Sequence, residues 1–142
     1  ITMIEYTVKV YPDRTEWRLY EKLHRADGPA IEYSDGSKEW YLNGQQHRAD
    51  GPAVEYSDGT KEWWLNGQPH RDNGPAVEYS SGTKEWWSNG QLHRDNGPAI
   101  EYSNGTKCWF LNGVNQPDPE TVKEMTVAEV SAKLGYEIKI VK

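Results

Sequence analysis

A period of 23 residues constrains this chain more than any other property of its sequence. The stretch HRADGPAIEYSDGSKEWYLNGQQ begins at His24. It returns as HRADGPAVEYSDGTKEWWLNGQP from His47, as HRDNGPAVEYSSGTKEWWSNGQL from His70 and as HRDNGPAIEYSNGTKCWFLNGVN from His93. Such a period is the signature of an array in which each unit buries its apolar face against its neighbours, so the body elongates by stacking and has no single central core. Moving the N-terminal segment by the same interval places Val8 on Ile31, Thr15 on Lys38, Trp17 on Trp40 and Leu19 on Leu42. Residues 8–19 therefore form a degenerate first hairpin with Pro12 and Asp13 at its turn. Lys9 and Arg18 suit a terminal unit that lacks one neighbour.

Within each unit, Ala30 to Tyr33 and Lys38 to Leu42 are short alternating runs rich in β-branched and aromatic residues. Asp35-Gly36 lies between them, with Asp-Gly, Ser-Gly and Asn-Gly at the equivalent points further on. A two-residue hairpin turn there sets an expected register of Tyr33 against Lys38, Glu32 against Glu39 and Ile31 against Trp40. Ile31, Tyr33, Trp40 and Leu42 then share one side, and Ala30, Glu32, Glu39 and Tyr41 the other. The connection from Asn43-Gly44 to Pro52 reads as a longer loop. The fold expected is mainly β, a single-layer twisted antiparallel ribbon of five consecutive hairpins.

The array, residues 1–116, ends where Gln116 takes the histidine position and Pro117, Asp118 and Pro119 follow. Residues 117–142 read as a small C-terminal cap. Thr126 and Glu129 make a capping box for a helix over about 126–134, with Met125 and Val130 as a hydrophobic staple and Gly135 to end it. Alternation then predicts a strand over about 136–141. Val127, Val130 and Leu134 share one helical face, which suits a lid over the last hairpin.

A formal net charge of -6 and a pI near 5.2 exclude a phosphate-tracking surface, whose affinity would come from clustered Lys and Arg. No direct nucleic-acid binding is expected, and a basic partner suits the charge. Seven Trp and nine Tyr bury enough area per residue to fold a chain poor in aliphatics. The lone Cys108 rules out an internal disulfide and a multi-cysteine zinc site, and favours a cytoplasmic location. No apolar run is long enough to span a bilayer, and Glu5 and Lys9 interrupt the N-terminal segment where a secretory signal would be apolar.

From Trp40 to Gly59 the sequence WYLNGQQHRADGPAVEYSDG resembles a MORN repeat: an aromatic strand, an Asn-Gly turn, a His with a glycine-bearing loop, a second strand and an Asp-Gly turn. The resemblance covers roughly residues 8–113. It departs at Arg48, where the usual pattern has Gly after His, and at the inserted Pro52-Ala53, which makes this HRxxGPA form similar to repeats of phage and large-virus proteins. The resemblance implies a single-sheet ribbon that binds protein or lipid without catalysing a reaction. With the viral form of the repeat, it also implies an inhibitor of a host nucleic-acid-binding or defence protein, acting in the host cytoplasm.

His24, His47, His70 and His93 recur one hairpin apart, about 9 to 10 Å, too far for ligands that converge on one ion at about 2 Å. They read as loop ties with Arg25, Arg48, Arg71 and Arg94, and neither a metal nor a cofactor is expected. Catalysis is not expected either, because repeated carboxylate pairs on a ribbon lack a pocket that excludes water. The pairs Glu32 with Glu39, Glu55 with Glu62 and Glu78 with Glu85 are predicted to oppose across strands, a repulsive arrangement. Either the loop arginines fold over to neutralise them, or they form an acidic strip for a partner. Tyr41, Trp64, Trp87 and Phe110 form an aromatic column on the same side, beside the column of Trp40, Trp63, Trp86 and Trp109. Either loops cover that column or it is a contact surface. The leading expectation is a non-catalytic module that docks these glutamates and aromatics on a basic protein surface, with no membrane partner. The alternatives are a glycan or cell-wall recognition module stacking sugars on Trp64 and Trp87, and a structural spacer or homo-oligomer joined through sheet edges.

Overall fold

The structure is a computed structural model that describes residues 3–122 and 124–139. The degenerate hairpin forms as expected: β1 (Thr7–Val10) pairs with β2 (Arg14–Leu19), placing Val8 against Trp17 and Lys9 against Glu16. Pro12 and Asp13 occupy the turn, which the Tyr11 amide closes on the Arg14 carbonyl at 2.8 Å. A short β3 (Lys22–Leu23) folds back on β2.

The first full unit contains β4 (Ile31–Tyr33), β5 (Lys38–Glu39), β6 (Tyr41–Leu42) and β7 (Gln45–Gln46). The second repeats these as β8 (Val54–Glu55), β9 (Lys61–Glu62), β10 (Trp64–Leu65) and β11 (Gln68–Pro69). The third supplies β12 (Val77–Glu78), β13 (Lys84–Glu85), β14 (Trp87–Ser88) and β15 (Gln91–Leu92). The last has β16 (Ile100–Glu101), a continuous β17 (Lys107–Leu111) and β18 (Val114–Gln116). One antiparallel sheet runs β1-β2-β4-β5-β8-β9-β12-β13-β16-β17-β18, with β3 beside β2. Five hairpins in a line and a mainly β fold are what the repeat predicted.

The register differs from expectation by one residue. Ile31 pairs with Glu39 and Glu32 with Lys38, because the turn is a three-residue loop. The Tyr33 amide donates to the Ser37 carbonyl at 2.9 Å, and the Gly36 amide to the Tyr33 carbonyl at 3.1 Å. Among Ser34, Asp35 and Gly36 only the glycine has positive φ, at 93°, as in a type I turn closed by a left-handed residue. Asp35 Oδ1 accepts the Ser37 amide at 2.8 Å, leaving the aspartate in an Asx turn. A slip of one residue moves a strand's side chains to the other face. Ile31, Tyr33, Glu39 and Tyr41 therefore share one face, while Glu32, Lys38 and Trp40 share the other.

The two-residue turn lies instead at Asn43-Gly44, where both residues have positive φ, 52° and 80°. It joins β6 to β7 with Leu42 against Gln45. Each full unit thus contributes a second, smaller hairpin where a loop was expected. Trp40 is the joint between the two: its amide donates to the Ala53 carbonyl at 2.8 Å, and its carbonyl accepts the His47 amide at 3.1 Å. The small hairpins are also linked along the array, the Gly67 amide reaching the Gln46 carbonyl at 2.9 Å.

The core is a thin column. Ala30, Ala53, Ala76 and Ala99 are fully buried, and Ile31, Val54, Val77 and Ile100 follow them. At the C-terminal end, α1 (Val127–Leu134) has the expected cap: the Thr126 hydroxyl accepts the Glu129 amide, the Glu129 carboxylate accepts the Thr126 amide, and Gly135 is left-handed. The helix does not act as the expected lid. It buries no residue, and Leu134 is 51% exposed, because eight residues carry only a narrow apolar stripe. The preceding linker leaves the last hairpin open as well: Pro117, Pro119 and Val122 are themselves exposed and border a groove that Trp109 also lines. Tyr136 to Lys139 form no strand. The end of the predicted strand, Ile140 and Val141, lies outside the described residues.

Candidate functional site

The observed register separates the glutamate pairs onto opposite faces. On one face Glu32, Lys38, Glu55, Lys61, Glu78, Lys84, Glu101 and Lys107 alternate across the sheet, each strand pairing Glu with Lys. The His-Arg loops fold over this face. Arg25, Arg48, Arg71 and Arg94 lie 4.1, 4.0, 3.8 and 3.8 Å above the rings of Trp17, Trp40, Trp63 and Trp86. They also pair with Glu32, Glu55, Glu78 and Glu101 at 3.2, 3.1, 2.8 and 2.8 Å. Glu32, Glu55 and Glu78 therefore belong to a charge-balanced lattice and leave the proposed acidic strip.

The other face carries Glu39, Glu62 and Glu85, with Tyr41, Trp64 and Trp87 two residues further on. The Tyr41 hydroxyl donates to Glu39 at 2.7 Å, and the indoles of Trp64 and Trp87 donate to Glu62 and Glu85, each at 2.8 Å. Of the expected aromatic column, three of four members meet their glutamates. Phe110 does not, since it has no donor and its strand neighbour at the glutamate position is Cys108.

Sequence reasoning missed a second set of partners. The Tyr33 hydroxyl donates to Glu39 at 2.9 Å, and the Tyr79 hydroxyl to Glu85 at 3.3 Å. Burial, then the bonded and charged Glu39, pushes the Tyr33 phenol up to about 12. Burial and the charge of Glu62 push Tyr56 up to about 12 as well. The phenols thus stay protonated donors. The signal for them was the tyrosine at a fixed place two residues after each buried Ile or Val.

No Lys or Arg lies within 4.0 Å of Glu39, Glu62 or Glu85 among the described residues. Asp35 and Asp58, in the neighbouring turns, add negative charge and are both held below the usual carboxylate range by the backbone amides of Ser37 and Thr60. The column begins differently. Glu16, one unit before Glu39, is buried at 4% exposure between Arg14 at 2.7 Å and Arg18 at 2.8 Å. The uncompensated stretch therefore runs from Glu39 to Glu85, with successive glutamates two strands or about 9.6 Å apart.

The histidines hold turns. Nδ1 of His24, His47, His70 and His93 accepts the backbone amide of Asn43, Asn66, Asn89 and Asn112 at 3.0 to 3.1 Å, which satisfies the donor of a left-handed residue. Among the described residues no group of three His, Cys, Asp or Glu side chains could hold a metal ion. Glu32 and Glu39, on opposite faces, cannot flank one scissile bond as a glycosidase pair must. No helix of the structure is long and apolar enough to cross a membrane. No family model, curated protein or solved structure matches the chain.

Proposed function

We infer that this is a non-catalytic binding module whose Tyr, Trp and Glu face docks on a basic protein surface. One observation carries the reading: all eight Lys and Arg residues between His24 and Gly113 belong to the opposite face, where they meet Glu and Asp. The docking face keeps three glutamates without a cation, framed by aromatics of the kind enriched at interface hot spots. Their carboxylates are already oriented by tyrosine and indole donors, so little ordering remains to be done on binding. Phe110 and the three lattice glutamates drop out of the footprint. Tyr33, Tyr56 and Tyr79 enter it.

The resemblance to viral and phage MORN-like arrays extends this reading to an inhibitor that occupies the nucleic-acid-binding surface of a host defence protein. A cytoplasmic setting suits its single thiol. The test uses a lysine- and arginine-rich peptide as probe, titrated at low and high salt against the wild type, an E39Q/E62Q/E85Q variant and an E78Q control. Salt-sensitive binding lost in the triple variant and kept in the control supports the reading. Equal binding by all three, or binding insensitive to salt, overturns it. Binding of sugars with a shift in Trp64 and Trp87 emission would replace it with glycan recognition.

A further inference from the structure

At the end of the array one Arg–Trp stack is missing its arginine. Four times the guanidinium sits over a tryptophan of the preceding unit, donates to a proline carbonyl at 3.0 to 3.2 Å and pairs with a glutamate seven residues on. Trp109 is the next tryptophan in that column, but Pro117 occupies the position of its arginine. None of the chain's six arginines reaches it. Arg25, Arg48, Arg71 and Arg94 cover other tryptophans, Arg14 covers Tyr11, and Arg18 is held by Glu16 and the Glu21 carbonyl.

A groove lies beside Trp109, as one lies beside Trp40. A cavity of about 650 Å³ lies against Trp109 and Leu111, bounded by Arg94 on one side and by Pro117, Val122 and Glu124 on the other. The groove between the first two loops has the same frame, with Arg25, Trp40 and Leu42 in the places of Arg94, Trp109 and Leu111, and there Arg48 is part of the wall. Glu124 lies 23 residues beyond Glu101, so the vacant slot keeps a carboxylate at the sequence position where each filled slot has its guanidinium partner.

We propose that the Trp109 cavity is a receptor for an arginine side chain of another protein, which completes the fifth stack. A planar guanidinium suits an aromatic face and a carboxylate together, as the four internal stacks do, whereas an ammonium cannot lie flat on the ring. A second copy of this chain is a poor donor, because its arginines are already stacked or paired. The site belongs to the loop face and does not depend on the docking face proposed above.

The test follows the indole N–H resonance of Trp109 by NMR while N-acetylarginine methylamide is added, with the lysine analogue as control. Arginine should move that resonance with a Kd of the order of millimolar and bind about fivefold more tightly than lysine. P117R should place a guanidinium in the slot and abolish the shift while leaving the other indole resonances in place, and E124Q should weaken binding. E39Q/E62Q/E85Q should bind the arginine probe unchanged, so failure here and failure of the docking face are separable. An unmoved Trp109 resonance, equal response to lysine, or full binding by both P117R and E124Q overturns the proposal.

Discussion

The Arg48 guanidinium lies 4.0 Å from the ring centre of Trp40 and 3.1 Å from Glu55, so one side chain fastens the loop of one unit to the tryptophan of the unit before. Lysine in its place keeps the charge but loses the flat stack and the fork that reaches Glu55 and the Pro52 carbonyl together. Arg48→Lys should lower stability by about 1–2 kcal/mol. The urea midpoint checks this, and Lys61→Gln on the same face should move it by less.

Gly59 has φ +93°, and no neighbouring atom lies within 4 Å of the point where a Cβ would stand, so the cost of a side chain there is backbone strain alone. Gly59→Ala should cost about 1 kcal/mol. If the turn were the two-residue type, Asp58 would share the positive φ, and Asp58→Gly would stabilise. With the three-residue loop, that change should instead destabilise by removing the carboxylate that accepts the Thr60 amide at 2.8 Å.

His47→Leu removes the acceptor for the Asn66 amide and should cost about 1 kcal/mol. Adding a chelator to the wild type should leave Tm unchanged, since Nδ1 of each histidine serves the turn.

Acid should act through Glu16. Burial pushes this carboxyl up, but hydrogen bonds and charge from Arg14 and Arg18 outweigh it and hold the group below its ordinary value. A depressed folded value means that its stabilisation is complete at neutral pH and is lost as pH falls from the unfolded value, about 4.3, through the folded one. Glu16→Gln should flatten that limb of the stability profile, as measured by denaturation from pH 6 downward, to about pH 2.

Alkali should act on the face that carries Glu39 and Glu62. Tyr33 and Tyr56 are pushed up to about 12, so the folded state holds their protons more tightly than the unfolded chain, where a phenol titrates near 10. Stability present below about pH 10 should fall as pH rises toward 12. Tyrosinate absorbance should rise together with unfolding, and a Y33F/Y56F variant should lose much of that pH dependence.

The repeat period, the five aligned hairpins, the degenerate start and the helix cap were all legible, because periodicity, Pro-Asp and Thr126 with Glu129 are local signals. The turn type was not, since Asp-Gly serves both a two-residue loop and a three-residue one, and only the φ of Asp35 separates them. A warning was nevertheless present in the sequence. Opposing Glu32 with Glu39, and repeating that repulsion in two further units, set a local cost against the fold. Moving the register by one residue turns each repulsive pair into Glu with Lys, and Asn43-Gly44 was the better candidate for the two-residue turn.

The Glu62 carboxylate was visible as a candidate, but its separation from Glu55 was not, because face assignment inherits any error in the turn. Tyr33 and its equivalents pass for core residues in the sequence because they alternate with Ile31. The small hairpins at Asn43-Gly44 are hidden there because two-residue strands such as Tyr41–Leu42 give alternation too little length to register.

The link from Gly67 to Gln46 recurs from Gly90 to Pro69 and from Gly113 to Leu92, so each unit is held by the same bonds to the one before it. An array joined only between neighbours works as a ruler. Inserting or excising one 23-residue unit would lengthen or shorten the glutamate column by one graduation of about 9.6 Å while leaving every remaining contact as it was.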